Sequence, residues 1–337
     1  MQRSLFLLLF TFACGLLLLP SGCSTEPEEA QVQVAYRLKW LFNISVVGDL
    51  YAEAQGYFTD QGLAVAIKPG GPERDAIKEL ELGRAQFGVA SADQVIRALA
   101  KGAPIVVIGQ LFQRNPLQWL YRAASDEIEK PEDLKGKTIG ITHGGNDETI
   151  MRALLARYGI ADREVDLYSV RYDYTPFYRG SVNLWPVYQN AEGIVIADKL
   201  GREGEAVRFF NPDFFGIRFA ANSVVTTRQL LEEQPETVAK FMAALLRGWQ
   251  EALAPVHAAR ALATMQRYDR DTSIDILQKQ LAATRTLMTP PPGTVFGAID
   301  IAAWQQTEKI MLEQQLIATP VGVENFLYPQ TAAYHSQ

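Results

Sequence analysis

Phe87-Gly88-Val89-Ala90, followed by Ser91 to Ala100 and then Ile105-Val106-Val107-Ile108-Gly109, is the stretch on which the fold turns. The first four residues form an apolar run too short for a helix and read as a buried strand. Asp93 to Ala100 has helical spacing and stops at Gly102, and Ile105 to Gly109 is again strand-like. Strand, helix and strand in so short a span predict parallel neighbours joined by a crossover helix. The same alternation extends toward the N-terminus. Val32 to Tyr36 reads as a strand before a helical run ending at Gln61-Gly62, Leu63 to Ile67 as a strand, and Pro72 to Leu82 as a helix stopped by Gly83. The pattern predicts an α/β fold with a mainly parallel sheet covered on both faces.

A second unit begins after Lys130-Pro131-Glu132-Asp133-Leu134-Lys135-Gly136-Lys137, with a strand at Thr138 to Thr142 and a helix from Glu148 to Tyr158. Strand-like residues return at Leu167 to Val170, and Gly193 to Leu200 is apolar. Beyond Asn222 the texture changes to consecutive helices, at Pro235 to Ala254, His257 to Arg267, Ile274 to Leu287 and Ile301 to Leu316. A helical tail must bury its apolar faces on something. The arrangement expected is a discontinuous lobe one, 32–124 plus 223–337, and a lobe two, 125–222. Two crossings between lobes make a hinge, with a ligand cleft between them.

The length of 337 residues suits two domains, and 48% hydrophobic with 21% charged side chains excludes a disordered or collagen-like chain. A net charge of −6 argues against nucleic acid as partner. The three histidines, His143, His257 and His335, lie far apart, so no His-rich metal site is expected. Arg3 precedes an apolar run from Leu5 to Leu19, shorter than the ~20 residues that span a bilayer. Residues 1–22 read as an export signal. The two cysteines are Cys14, inside that run, and Cys23, after Pro20-Ser21-Gly22. The segment resembles a bacterial lipoprotein signal, departing from it at Pro20, where leucine is preferred. Cys23 is then the expected lipidation site, residues 23–31 a polar tether, and the location the outer face of the cell membrane.

Gly56-Tyr57-Phe58, Gln61-Gly62-Leu63 and Leu82-Gly83-Arg84-Ala85-Gln86-Phe87-Gly88-Val89 resemble the opening of ABC-transporter solute-binding proteins. The branch is the one shared by thiamine-pyrimidine, sulfonate and nitrate binders. Pro131 to Gly140 is similar to its entry into lobe two, and Trp185-Pro186-Val187-Tyr188-Gln189-Asn190-Ala191-Glu192-Gly193 to its characteristic block. The resemblance implies a two-lobed periplasmic-binding-protein type II fold with hinge, interlobe cleft and helical C-terminal part. It also implies ABC permease subunits as partners. Pyrimidine synthases related to these binders carry clustered cysteines and a sacrificial histidine. Here no cysteine follows Cys23, and Val46 stands where the histidine would be in Asn43-Ile44-Ser45-Val46-Val47-Gly48. A binding protein without cofactor is expected, not an enzyme.

Seven aromatics, Tyr168, Tyr172, Tyr174, Phe177, Tyr178, Trp185 and Tyr188, stand in 21 positions where the chain's 10% average gives about two. Such clusters are usually core. Pro176 and Pro186 interrupt any long element, however, and Arg171, Asp173 and Arg179 interleave with the rings. The ligand-facing reading makes Tyr174, Trp185, Tyr188 and Glu192 contacts. Trp40 and Asn43 follow the first strand, where open α/β sheets present ligand residues. Trp119 and Tyr121 are further candidates for that wall, although Trp119 could instead pack beneath the hinge. Ser91, Asp93 and Gln94 open a helix, as caps or as contacts. Asn146, in Gly144-Gly145-Asn146-Asp147, opens another whose N–H groups could meet a carbonyl. Aromatic faces, amide edges and carboxylates together suit riboflavin, with its flat ring, imide and ribityl chain. A thiamine-precursor pyrimidine is the alternative.

Overall fold

The computed structural model describes residues 30–328, apart from 72, 126 and 172. The leader, Cys23, the tether to residue 29, Pro72 and Tyr172 lie outside the described residues. The first segment lays down β1 (Val32–Arg37), α1 (Val47–Ala54), α2 (Tyr57–Asp60), β2 (Leu63–Lys68), α3 (Ala76–Glu81), β3 (Phe87–Ala90), α4 (Ala92–Leu99) and β4 (Ile105–Gln110). Its breaks have local causes. Gly56, at φ 77°, splits the expected single helix into α1 and α2, a backbone angle that favours glycine. Asp75 caps α3 by accepting from the Lys78 N–H, and Ser91 with Gln94 caps α4.

The second segment holds β5 (Leu117–Arg122), β6 (Thr138–Ile141), α5 (Asn146–Arg157), β7 (Asp166–Ser169), α6 (Thr175–Tyr178), β8 (Trp185–Tyr188), α7 (Glu192–Arg202) and β9 (Val207–Phe210). The last comprises β10 (Ser223–Thr227), α8 (Arg228–Glu233), α9 (Pro235–Leu253), α10 (Ala258–Met265), α11 (Ile274–Met288) and α12 (Ile301–Glu313). Among the described residues no helix is long and apolar enough to cross a membrane.

The principal sheet has the order β2-β1-β3-β10-β4. β1 pairs in parallel with β2 and β3, whereas β10 runs antiparallel between β3 and β4. The four strands of the first segment are therefore mutually parallel, as the crossover helices require. β10 is reversed because it re-enters the sheet from the second lobe. That lobe carries an antiparallel sheet, β8-β5-β9, and a parallel pair, β6-β7. The parallel texture expected of the first segment does not extend there, because β5 pairs with strands reached through reversing connections. Since β5 already belongs to the second sheet, the chain has left the first by Leu117, ahead of the crossing expected at 125.

One face of the principal sheet buries Tyr36 and Phe87 beneath α9, where Phe87 stacks on Phe241 with ring centroids 3.8 Å apart. Full burial of each such ring contributes about 1.5–3 kcal/mol. The other face meets α4 and α12, and that core runs on without a break into α5 of the second lobe. The second lobe keeps its own small core of Leu120, Phe177, Trp185 and Ile196. Helices α1 and α9 approach very closely. A Cβ on Gly48 would lie 2.0 Å from the Trp249 ring, and one on Gly248 2.4 Å from the Ala52 Cβ, so both positions need glycine.

Asp49, 1% exposed, accepts a hydrogen bond from the Tyr36 hydroxyl at 2.6 Å. Burial pushes its carboxyl up to about 7, with the Tyr36 bond opposing the shift. An unfolded aspartate titrates near ~3.9, so the native state holds this proton more tightly. The stabilisation is complete below the unfolded value and lost as pH rises through about 7. The melting temperature should fall between about pH 5 and about pH 8, and Asp49→Asn should flatten that fall. Calorimetry at both values checks this; an equal fall in the variant contradicts it.

Candidate functional site

The loop after β1 and the start of α7 meet where the lobes touch. Asn43 caps the turn Ile44–Val46 by accepting from the Ser45 N–H at 2.9 Å, which leaves its Nδ2 to donate to Glu192 Oε1 at 3.5 Å. Glu192 Oε2 accepts from the Tyr188 N–H at 3.2 Å. The Tyr188 hydroxyl accepts from Lys39 Nζ at 2.9 Å and donates to Asn222 Oδ1 at 3.0 Å, tying the end of β8 to the ends of β1 and β10. Deeper in the seam, Asn190 Nδ2 donates to Ser45 Oγ at 3.0 Å and to Thr284 Oγ1 at 2.9 Å. Gln280 Nε2 donates to the Ala191 carbonyl at 3.0 Å.

These contacts border a cavity of about 190 Å³ lined by Asn43, Tyr174, Tyr178, Glu192, Asp269 and Gln280, among others. The Tyr174 ring leans on Trp185 with centroids 5.8 Å apart, and Lys199 Nζ sits 3.8 Å from the Tyr178 ring centre. Withdrawal from water raises the Glu192 carboxyl above its ordinary range, although the Tyr188 N–H and Asn43 pull it down. Burial and the nearby Glu192 charge raise the Tyr174 phenol. The wall therefore offers ring faces, two amides and acidic groups in a partly desolvated space. No group of three or more His, Cys, Asp or Glu side chains able to hold a metal occurs among the described residues.

Of the residues singled out from sequence, Asn43, Tyr174 and Glu192 come together at this cavity, with Tyr188 bonded beside them. Trp40 is half-buried on the same loop, its carbonyl accepting from the Gly70 N–H at 2.9 Å. Trp119, Tyr121 and Trp185 are core instead. Trp119 is fully buried and donates to the Gly140 carbonyl at 2.9 Å; Tyr121 donates to the Ile128 carbonyl at 3.0 Å. Both lie on β5, the middle strand of its sheet, where each face is covered. Trp185, 1% exposed, is enclosed by α6 and α7 in the second lobe's core.

Ser91, Asp93 and Gln94 serve the α4 cap: the Ser91 hydroxyl lies 2.7 Å from Asp93 Oδ1 and 3.0 Å from Gln94 Oε1. None of the three lines the cavity. Asn146 is half-buried at the first position of α5. The glycine N–H groups before it are already engaged, Gly144 with Glu148 at 2.8 Å and Gly145 with the Thr142 carbonyl at 2.7 Å. Sequence reasoning missed Lys39, although it neighbours Trp40 at the end of β1. It also missed Asp269 and Gln280, which no local pattern distinguishes from ordinary helix and loop residues.

Two lobes joined by strand crossings, with a cavity at their seam, define the fold of periplasmic solute-binding proteins. The periplasmic aliphatic sulphonate binding protein SsuA of Escherichia coli shares it with a TM-score of 0.68 at 16% identity, over 90% of this chain and 93% of that one. Within that class the chain belongs to the NMT1/THI5-like family, which residues 43–258 match. It is 26% identical to the riboflavin-binding protein RibY of Chloroflexus aurantiacus, over 89% of this chain and 86% of that protein. It is 24% identical to the formylaminopyrimidine-binding protein of Halalkalibacterium halodurans, over 90% and 93% respectively.

The two aromatics of the Tyr174–Trp185 pair should separate in their effects. Trp185→Ala empties a core site and should cost about 3–5 kcal/mol. Tyr174→Ala, on a half-buried ring, should cost clearly less. Urea unfolding of both variants decides; equal losses would contradict the assignment of Trp185 to the core.

Proposed function

We propose that this chain is the extracytoplasmic, lipid-anchored solute-binding component of an ABC importer and that its solute is riboflavin. The observation that carries the reading is the seam cavity, where Tyr174 and Tyr178 flank a polar edge made by Asn43 and Glu192. A more open depression of about 500 Å³ shares Val195 and Thr272 with it and carries Asp198, Asp271 and Ser273. A fused flat ring suits the inner space, and a polyhydroxyl chain suits the acceptors of the outer one. The similarity to RibY supports the same solute.

A second reading, a thiamine-precursor pyrimidine, is favoured by size. The inner cavity of about 190 Å³ lies below the ~300–1,000 Å³ of sites for drug-sized ligands, and a single ring fills it. The formylaminopyrimidine-binding relative supports this alternative. Pyrimidine synthesis by the chain itself is disfavoured, since Val46 is 7% exposed within the apolar core and no cysteine follows Cys23. In the mechanism proposed, the lobes close on the solute through contacts that exist only in the closed form, and the permease responds to that form. Lys39–Tyr188, Asn43–Glu192 and Asn190–Ser45 join the two sides of the seam, and in this mechanism they would part as the lobes open.

Titration of the full chain, purified in detergent, should quench riboflavin emission at micromolar protein, with a formylated aminopyrimidine run in parallel by calorimetry. Unchanged flavin emission beside saturable pyrimidine heat would transfer the assignment to the second reading; silence in both would remove both. Mass spectrometry of the membrane-extracted protein should find an acylated N-terminus at Cys23. An unmodified terminus at another residue would end the anchor proposal.

A further inference from the structure

Helices α7 and α11 face one another across the lobe boundary, and a charged bridge joins them there. Asp198, on α7, gives its two carboxyl oxygens to two different cations. Oδ1 accepts from Lys279 Nζ at 3.0 Å, and Oδ2 lies 2.7 Å from Arg202 Nη2, one turn further along α7. The Lys279 bond, with Arg202 beside it, holds the Asp198 carboxyl below its ordinary range. Arg202 belongs to the same helix as Asp198, so that pair survives any movement of one lobe against the other. Lys279 belongs to the lobe-one helix that also brings Gln280 and Thr284 to the seam. Its bond to Asp198 is therefore the one that lobe separation must break. Asp198 and Arg202 line the outer depression together with Ile276, one turn before Lys279 on α11, and that depression shares Val195 and Thr272 with the inner cavity.

The Lys279 side chain is 59% exposed and that of Asp198 19%. When the bridge breaks, the ammonium regains water and Asp198 keeps Arg202, so neither charge is stranded. A pair of this exposure is weak and is screened by salt. The bonds of Asn190 and Gln280 lie deeper and join neutral groups, so salt does not loosen them in the same way. We propose that the Lys279–Asp198 bridge is an electrostatic latch that sets the lifetime of the closed form, and with it the rate at which solute leaves. The inference rests on the reading of two lobes that close on a solute, and adds the contact whose strength ionic conditions adjust. Lys279 lines neither cavity, so replacing it leaves the wall that meets the solute unchanged.

The test follows hydrogen exchange of the seam segments 43–46 and 188–192 in the ligand-free full chain in detergent. It is run at about 0.02 M and about 0.5 M NaCl, between which the screening length shrinks roughly fivefold. Release of riboflavin, read by the recovery of its emission, is timed under the same conditions. Wild-type protein should exchange and release solute roughly two- to fivefold faster at the higher salt. Lys279→Gln should show the faster behaviour at both salts, and Lys279→Glu, which sets two carboxylates face to face, should be fastest at low salt. Adding Asp198→Asn to Lys279→Gln should change seam exchange no further, because the pair is already broken. Wild-type seam exchange that ignores salt overturns the proposal without any variant. Lys279→Gln protein that still responds to salt as wild type does overturns it as well. Wild-type protein that binds neither riboflavin nor the formylated aminopyrimidine removes the solute assignment, while the exchange measurement, which needs no solute, still decides the latch.

Discussion

β10 is the constraint from which the architecture follows. It lies antiparallel between β3 and β4, with Ser223 opposite both Ala90 and Gln110, yet it is synthesised only after the whole second lobe. The principal sheet cannot be completed until the chain has made that excursion and returned. The two crossings are therefore held side by side by the ladder itself, and the ends of β1 and β10 both come to face β8. Lys39, Tyr188 and Asn222 are bonded in one chain for this reason.

Around that frame the seam is built mainly from amides. Asn43, Asn190 and Gln280 each span between segments that are remote in sequence, and each is oriented by at least one bond to a neighbouring element. Two of these bonds, Asn190 to Ser45 and Gln280 to the Ala191 carbonyl, join neutral groups and place no charge in the apolar interior. A fully charged pair lies further out, where Lys279 Nζ meets Asp198 Oδ1 at 3.0 Å across the same boundary. Both partners there keep contact with solvent, so salt screens the pair.

Much of this was legible in the chain. Alternating strands and helices around Phe87 to Gly109 specified the parallel part of the sheet, and the C-terminal helices at Pro235, Ile274 and Ile301 begin where their spacing placed them. Asn43, Tyr174 and Glu192, singled out by strand-end position, aromatic density and family motifs, line one cavity. Trp119, Tyr121 and Trp185 were misread for one physical reason. Aromatic density does not reveal whether a strand is central or at an edge, and β5 is central while β8 is roofed by α6 and α7. Gln280 was invisible because a buried glutamine on an amphipathic helix has the same local pattern as any core-facing residue.

The close crossing of α1 and α9 has a mechanical consequence. With Gly48 against Trp249 and Gly248 against Ala52, there is no slack for one helix to slide on the other. The half of the molecule that carries Asn43 is therefore tightly fixed at this crossing. Asn43 stands only a few residues before Gly48, so its position is inherited from a helix some two hundred residues further along the chain. A bulkier or displaced ring at Trp249 would press first on Gly48, and through it on the turn that Asn43 caps.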